Sequence, residues 1–238
     1  MNQAPNLSSY KQYLSALDGC CFQRPTTILQ PDGVEFVLAI KIDFSDQVGS
    51  RRGNQLNGYL FDDQGVSLKT YYREVSYGQM DVQPGPAEGI MPKKDRWVRA
   101  KHPMSYYGDG KHNVARYREL VREACQGIDK EINFVDYDRN KDGIIDHLFI
   151  VHAGDDEAST FTGTFGPNIW SVLVPNINTT FDGVKIDTAV LVAEEPSFKH
   201  PHLGIYFHEF FHDFGAPDVY GSPMIDARDH KWGLMGMY

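Results

Sequence analysis

Apolar residues fall along this chain in stretches whose spacing separates strands from helices. Residues 34–44, VEFVLAIKIDF, are dense in β-branched and aromatic side chains, enough for one inner strand of a sheet. Further on, Val114, Tyr117, Leu120, Val121, Ala124, Ile128 and Ile132 recur at three- and four-residue steps, with Arg118, Glu119, Arg122 and Glu123 between them. That spacing predicts a helix over about 114–132 with one face laid on a sheet. Residues 147–151 and 188–193 are apolar enough for two more inner strands. A second helix is expected over about 204–214. Strand, helix and strand signals in this order predict an α/β or α+β fold built on a twisted mixed sheet.

The stretch before Val34 mixes polar residues with Pro25, Pro31 and Gly33 and is expected to be an arm or the remnant of a leader over 1–33. No internal repeat or second linker follows, so 34–238 reads as one domain. At 238 residues the chain can bury a core without disulfide or metal staples. Its net charge of -9 repels phosphate backbones and anionic lipid, which argues against nucleic acid as a partner. No apolar run approaches the roughly 20 residues of a membrane span, so none is expected. Three cysteines cannot form a closed disulfide framework, and adjacent Cys20 and Cys21 are poorly placed to bond each other. Cys125 with either of them remains open.

One segment carries most of the chemistry: His208-Glu209-Phe210-Phe211-His212-Asp213-Phe214-Gly215-Ala216-Pro217-Asp218. Helix residues four apart lie about 40° apart around the axis, so His208 and His212 present their imidazoles to one zinc ion. Glu209, beside the first ligand, is placed as general base toward a water that the metal acidifies, the chemistry of amide hydrolysis. Gly215 is expected to end the helix in a left-handed cap, after which Ala216 and Pro217 turn the chain and Asp218 arrives as third ligand. Asp213 is its nearest competitor, but follows His212 directly and is rotated about 100° from it.

The run resembles the metzincin pattern of zinc peptidases, with aspartate in place of a third histidine. The surrounding sequence resembles the immune-inhibitor-A-like family of bacterial peptidases. Asp43-Phe44-Ser45-Asp46, Tyr72-Arg73-Glu74-Val75-Ser76-Tyr77-Gly78, Asp142-Gly143-Ile144-Ile145-Asp146, His152-Ala153-Gly154, Ile169-Trp170-Ser171 and Trp232-Gly233-Leu234-Met235 follow the family's order. The resemblance covers about residues 34–238 and implies a zinc endopeptidase acting on protein or peptide substrates. It also implies export from the cell and a methionine turn at Met235 flooring the metal. Two positions depart from the pattern: Phe211 stands where the family usually has glycine, and Val172 where a histidine often follows Ile-Trp-Ser.

A second cation site is expected in the acidic stretch 138–146, where Asp138, Asn140, Asp142 and Asp146 offer side-chain oxygens and Ile144 a carbonyl, with glycine sixth. Calcium suits such oxygen ligands. Phe149 at the twelfth position, in place of glutamate, excludes a sensor EF-hand; a solvated acidic turn is the plain alternative. His102, His112, His147, His200, His202 and His230 lack partner spacing and read as surface or hydrogen-bonding residues. His152 could line the cleft, Asp213 could orient a ligand from behind, and Glu194 with Glu195 read as an acidic loop edge. The rival to an enzyme is a non-catalytic, calcium-stabilised binding module that keeps its zinc; the base Glu209 argues against it.

Overall fold

In the computed structural model, which describes residues 32–108, 113–157, 168–195, 203–218 and 234–235, three parallel strands form the middle of the molecule. They are β1 (Val34–Asp43), β4 (His147–Asp155) and β8 (Ala189–Glu195). Between β1 and β4 the chain forms α1 (Gly53–Phe61), α2 (Leu68–Val75), β2 (Asp81–Gln83), β3 (Val98–Arg99), the single turn α3 (Met104–Tyr107) and α4 (Val114–Ile128). After β4 come β5 (Val172–Val174), the small hairpin β6 (Thr179–Phe181) and β7 (Val184–Ile186), β8, and last α5 (Gly204–Asp213).

The sheet runs in the order β2-β1-β4-β8-β5, with β3 also paired to β1. β2 and β3 lie parallel to opposite ends of β1, and β5 closes the other side antiparallel to β8. This is the mixed sheet in an α/β arrangement that the sequence predicts, and it is compatible with a metzincin-like peptidase domain.

Alternation along the strands sorts the core into two layers. Leu38, Ile40 and Ile42 of β1 join Leu148, Ile150 and Leu191 in a cluster covered by Tyr117, Leu120, Val121, Ala124 and Ile128 of α4. Val37, Ala39, Phe149, Val151, Val190 and Val192 face the other way, onto Leu56 and Leu60 of α1, Tyr72 of α2, and Tyr206, Phe207 and Phe210 of α5. Central strands buried on both faces explain the nearly continuous apolar runs.

Two boundaries differ from expectation. The helix predicted to reach 132 ends at Ile128, where the Glu131 N–H bonds back to the Ile128 carbonyl and tightens the chain into a turn. Ile132 keeps its place against the core from beyond the helix, so side-chain periodicity outlasts the backbone that produced it. The strand expected over 147–151 continues to Asp155, with an irregularity in its pairing to β8 between His152 and Asp155. α1 and α2 were not anticipated from the pattern, since each shows the core only two or three apolar residues. Cys125 is a buried free thiol; Cys20, Cys21 and nearly all of the expected arm lie outside the described residues.

Candidate metal centre

α5 is a core helix that carries polar residues on one side. Tyr206, Phe207 and Phe210 anchor it: the Tyr206 hydroxyl donates to the Ala193 carbonyl of β8 at 2.7 Å, and Tyr72 of α2 donates to the Phe207 carbonyl at 2.7 Å. The Tyr71 and Phe207 rings stack at 4.3 Å. Phe211 lies beside Tyr72, ring centroids 6.4 Å apart, and is exposed.

The end of the helix is set by Gly215, whose φ of 85° is one that an L side chain rarely adopts. Gly215 N–H bonds to the His212 carbonyl and Ala216 N–H to the Phe211 carbonyl, the paired bonds of a Schellman cap. That turn brings Asp218 back over the helix, where its Oδ1 stands 3.2 Å from His208 Nε2 and 3.3 Å from His212 Nε2. The two Nε2 atoms are 3.1 Å apart. Among the described residues this is the only group of three His, Cys, Asp or Glu side chains converging closely enough to hold a metal ion.

Proton positions make the triangle informative. His208 Nδ1 faces the Leu234 carbonyl at 2.8 Å and His212 Nδ1 faces the Ala216 carbonyl at 2.7 Å. A carbonyl only accepts, so each Nδ1 carries the proton and, in the neutral ring, each Nε2 is a lone pair. Two nitrogen lone pairs and a carboxylate oxygen then point at one another, an arrangement that repels itself unless a cation sits among them. Metal–ligand bonds of about 2.0–2.1 Å in tetrahedral geometry put ligand atoms about 3.3 Å apart, the size of the triangle found. The donor set therefore fits a small tetrahedral ion.

The electrostatics agree. Burial works against charge on both histidines, but Asp218 outweighs it, raising His208 and pushing His212 up to about 9. Burial would also raise Asp218, yet its two imidazole partners hold it far below the usual carboxylate range. Without an ion the cluster draws protons to the place where an ion would put its charge. Glu209, buried and with Oε1 4.0 Å from His208 Nε2, is pushed up to about 7 by desolvation, against the pull of both histidines. Met235 is buried and directly follows Leu234, whose carbonyl orients His208.

Behind the helix the hydrogen-bonding role read for His147 holds, but deep in the interior instead of at the surface. His147 is fully buried; its Nδ1 lies 2.7 Å from Asp213 Oδ2 and its Nε2 3.3 Å from Glu35 Oε2. Burial disfavours charge on this ring, but hydrogen bonds and charge from the two carboxylates win, and His147 is pushed up to about 9. Asp213 thus meets a histidine of the sheet, not a ligating one. The overlooked signal was Glu35 and His147 themselves: an acid and a base near the starts of apolar strands require partners inside the core. Glu194 is no loop edge but a fully buried residue of β8, its carboxylate accepting N–H bonds from Ser50, Arg51 and Gly154. His152 is buried within β4, its Nδ1 against the Ala153 carbonyl. His102 stands partly exposed beside Glu119, whereas His112, His200, His202 and His230 lie outside the described residues.

The acidic loop forms as a set of local turns. Asp138 Oδ1 and Asn140 Oδ1 accept from Asp142 N–H, Asp138 Oδ2 from Gly143 N–H, Asp142 Oδ1 from Ile144 N–H, and Asp146 Oδ2 from Arg139 N–H. Burial pushes the Asp146 carboxyl up to about 6.

Comparison with known proteins places the chain among bacterial peptidases. The family model described as immune inhibitor A peptidase M6, catalytic domain, matches residues 53–237. The chain is 32% identical over 220 residues to the pre-pro-metalloprotease PrtV of Vibrio cholerae serotype O1, covering 74% of this chain and 22% of that protein. It is 28% identical over 202 residues to immune inhibitor A of Bacillus thuringiensis subsp. alesti, covering 71% of this chain and 28% of that one. The chain thus spans about a quarter of the length of these curated relatives.

Proposed function

Because this chain belongs to the immune inhibitor A peptidase M6 family, we propose that it is a zinc-dependent endopeptidase of metzincin type, hydrolysing peptide bonds of extended protein substrates. The observation that carries the reading is the triangle of His208 Nε2, His212 Nε2 and Asp218 Oδ1, two of whose corners share a helix with the buried carboxylate of Glu209. Zinc held by these three atoms would supply a Lewis acid that polarises the scissile carbonyl and acidifies a water. Glu209 would take the proton of the attacking water as the water's oxygen bonds to the carbonyl carbon, and would deliver it to the amine nitrogen as the C–N bond breaks. A desolvated carboxylate with its affinity for protons raised toward neutrality suits both transfers. The carbonyls of Leu234 and Ala216 keep the two imidazoles turned with Nε2 toward the metal. Met235 is the floor beneath them. Substrate adds as a strand along β5, the terminal strand of the sheet order, above the cleft.

Calcium in the loop of Asp138, Asn140, Asp142, Ile144 and Asp146 is the second part of the proposal, supported by an all-oxygen donor set ordered into turns around Gly143. Export is the third: the Vibrio relative is named as a pre-pro form. The domain is taken to run over 34–238, after an arm over 1–33.

Metal analysis with a casein digestion assay on the unaltered chain and on Glu209→Gln tests the enzyme reading. About one zinc per chain with digestion in the first, and zinc without digestion in the second, is the expected pair. Zinc without digestion in both would make the chain a binding module. A chain that takes up no zinc would end the metal reading altogether.

A further inference from the structure

The buried group of His147, Asp213, Thr188 and Glu35 provides no ligand in the site just proposed, yet it grips the helix that does. Asp213 is held on both oxygens, Oδ2 by His147 Nδ1 at 2.7 Å and Oδ1 by the Thr188 hydroxyl at 3.2 Å. The His147 ring also packs on Phe210 and Phe214, each at a centroid distance of 5.0 Å. Contacts at 210, 213 and 214 fall on the side of α5 that faces the sheet, while His208 and His212 turn toward Asp218. On its far side the imidazole is held by Glu35 of β1. The line of contact therefore runs from two strands, through His147, into the residue next to a metal ligand.

A buried ion pair is a costly way to join a helix to a sheet, because apolar residues of similar size commonly give equal or greater stability. What directional bonds add is a fixed angle of rotation. Side-chain tips stand about 5–6 Å from a helix axis, so a roll of about 10° displaces them by about 1 Å. Metal–ligand distances tolerate only about 0.2 Å. Apolar packing alone, here supplied by Phe207 and Phe210, permits such a roll at small cost; a carboxylate bonded on both oxygens resists it.

We propose that His147 is a positioning residue for the metal centre: by holding Asp213 it sets the rotation of the last turn of α5, and with it the His212 ring and the turn that delivers Asp218. This rests on the zinc reading above. The test compares His147→Gln with Val151→Ala, a change in the same strand and core layer that touches no ion pair, at a temperature where circular dichroism shows both folded. Zinc affinity is measured by competition with a chromogenic chelator, and ligand geometry by the visible absorption of the cobalt-loaded chain. The expected result for His147→Gln is a loss of zinc affinity of about tenfold to a hundredfold, the range typical of residues that orient a ligand, with a changed cobalt spectrum. Val151→Ala should lower the melting temperature and leave affinity within about twofold of the unaltered chain.

Should His147→Gln not fold, Asp213→Asn and then Thr188→Val carry the same comparison, removing a charge and a hydroxyl respectively. Unchanged affinity and spectrum in the folded variant would overturn the positioning role alone, as would an equal loss in Val151→Ala. An unaltered chain that binds no zinc would overturn the parent reading and this one with it.

Discussion

The two candidate cation sites present their donor atoms in opposite ways. In the acidic loop the carboxylate and amide oxygens accept backbone N–H groups of the loop itself, from Arg139, Asp142, Gly143 and Ile144. In the site on α5 the Nδ1 protons are on the far side, donated to the carbonyls of Leu234 and Ala216, and both Nε2 atoms and Asp218 Oδ1 face one another at 3.1–3.3 Å. The loop already turns several of these oxygens onto its own backbone and would gain an ion as an addition. The helix site gathers positive charge at one point, as protons or as an ion. Residue types alone hide this difference, because both stretches are rich in ligands; the direction of each proton reveals it.

The sharpest way to break the comparison is at the base. Glu209→Gln should retain about one zinc per chain and lose peptide hydrolysis by roughly 10²-fold to 10⁴-fold or more, measured by metal analysis and casein turnover. Substantial residual turnover with full zinc would remove Glu209 from its role. Next in size is the third ligand. Asp218→Ala should weaken zinc by more than the roughly hundredfold that bounds orienting residues, and Asp213→Ala should stay within that bound. Parallel chelator titrations decide it, and a larger loss at Asp213 would reverse the assignment.

A third experiment measures the buried pair behind the helix. His147 is raised from 6.5 to about 9 in the folded chain, so its contribution is complete below about pH 6.5 and is lost as pH rises through 9. With chelator present, the melting temperature of the unaltered chain should fall over that window relative to that of His147→Gln. Parallel melting curves for the two chains from pH 6 to 10 would show that the ring is not charged in the fold. The smallest effect concerns the loop: calcium at a hundred times its dissociation constant stabilises by about 2.7 kcal/mol, and Asp142→Ala should remove most of that shift. Melting curves identical with calcium and with chelator would leave 138–146 an acidic turn.

Much of this is legible in the sequence. β1, β4 and β8 announce themselves because strands buried on both faces have few polar positions, and α4 because it shows a full apolar stripe. The helix, its cap and the ligand candidates were readable because His208, His212, Gly215 and Asp218 act through fixed local offsets. What escaped was held together across the sequence. Short helices such as α1 get their stability from Leu56 and Leu60 meeting a sheet that local spacing cannot see. His147 meets Asp213 from 66 residues away, and no spacing rule links a histidine at the start of one strand to an aspartate at the end of a later helix.

Glu194 has a consequence in time. Its carboxylate joins β8 to Ser50 and Arg51, residues 144 and 143 positions earlier, and it also receives the Gly154 N–H beside the irregular end of β4. Contacts of such separation must close very large loops before they return any energy, which places them late in folding. The loop after β1 can therefore be latched only once the last strand of the sheet is in place. A contact absent from the transition state governs how fast the native chain comes apart more than how fast it forms. Glu194→Gln should accordingly speed unfolding while leaving the refolding rate nearly unchanged, making this carboxylate a determinant of how long the assembled cleft persists.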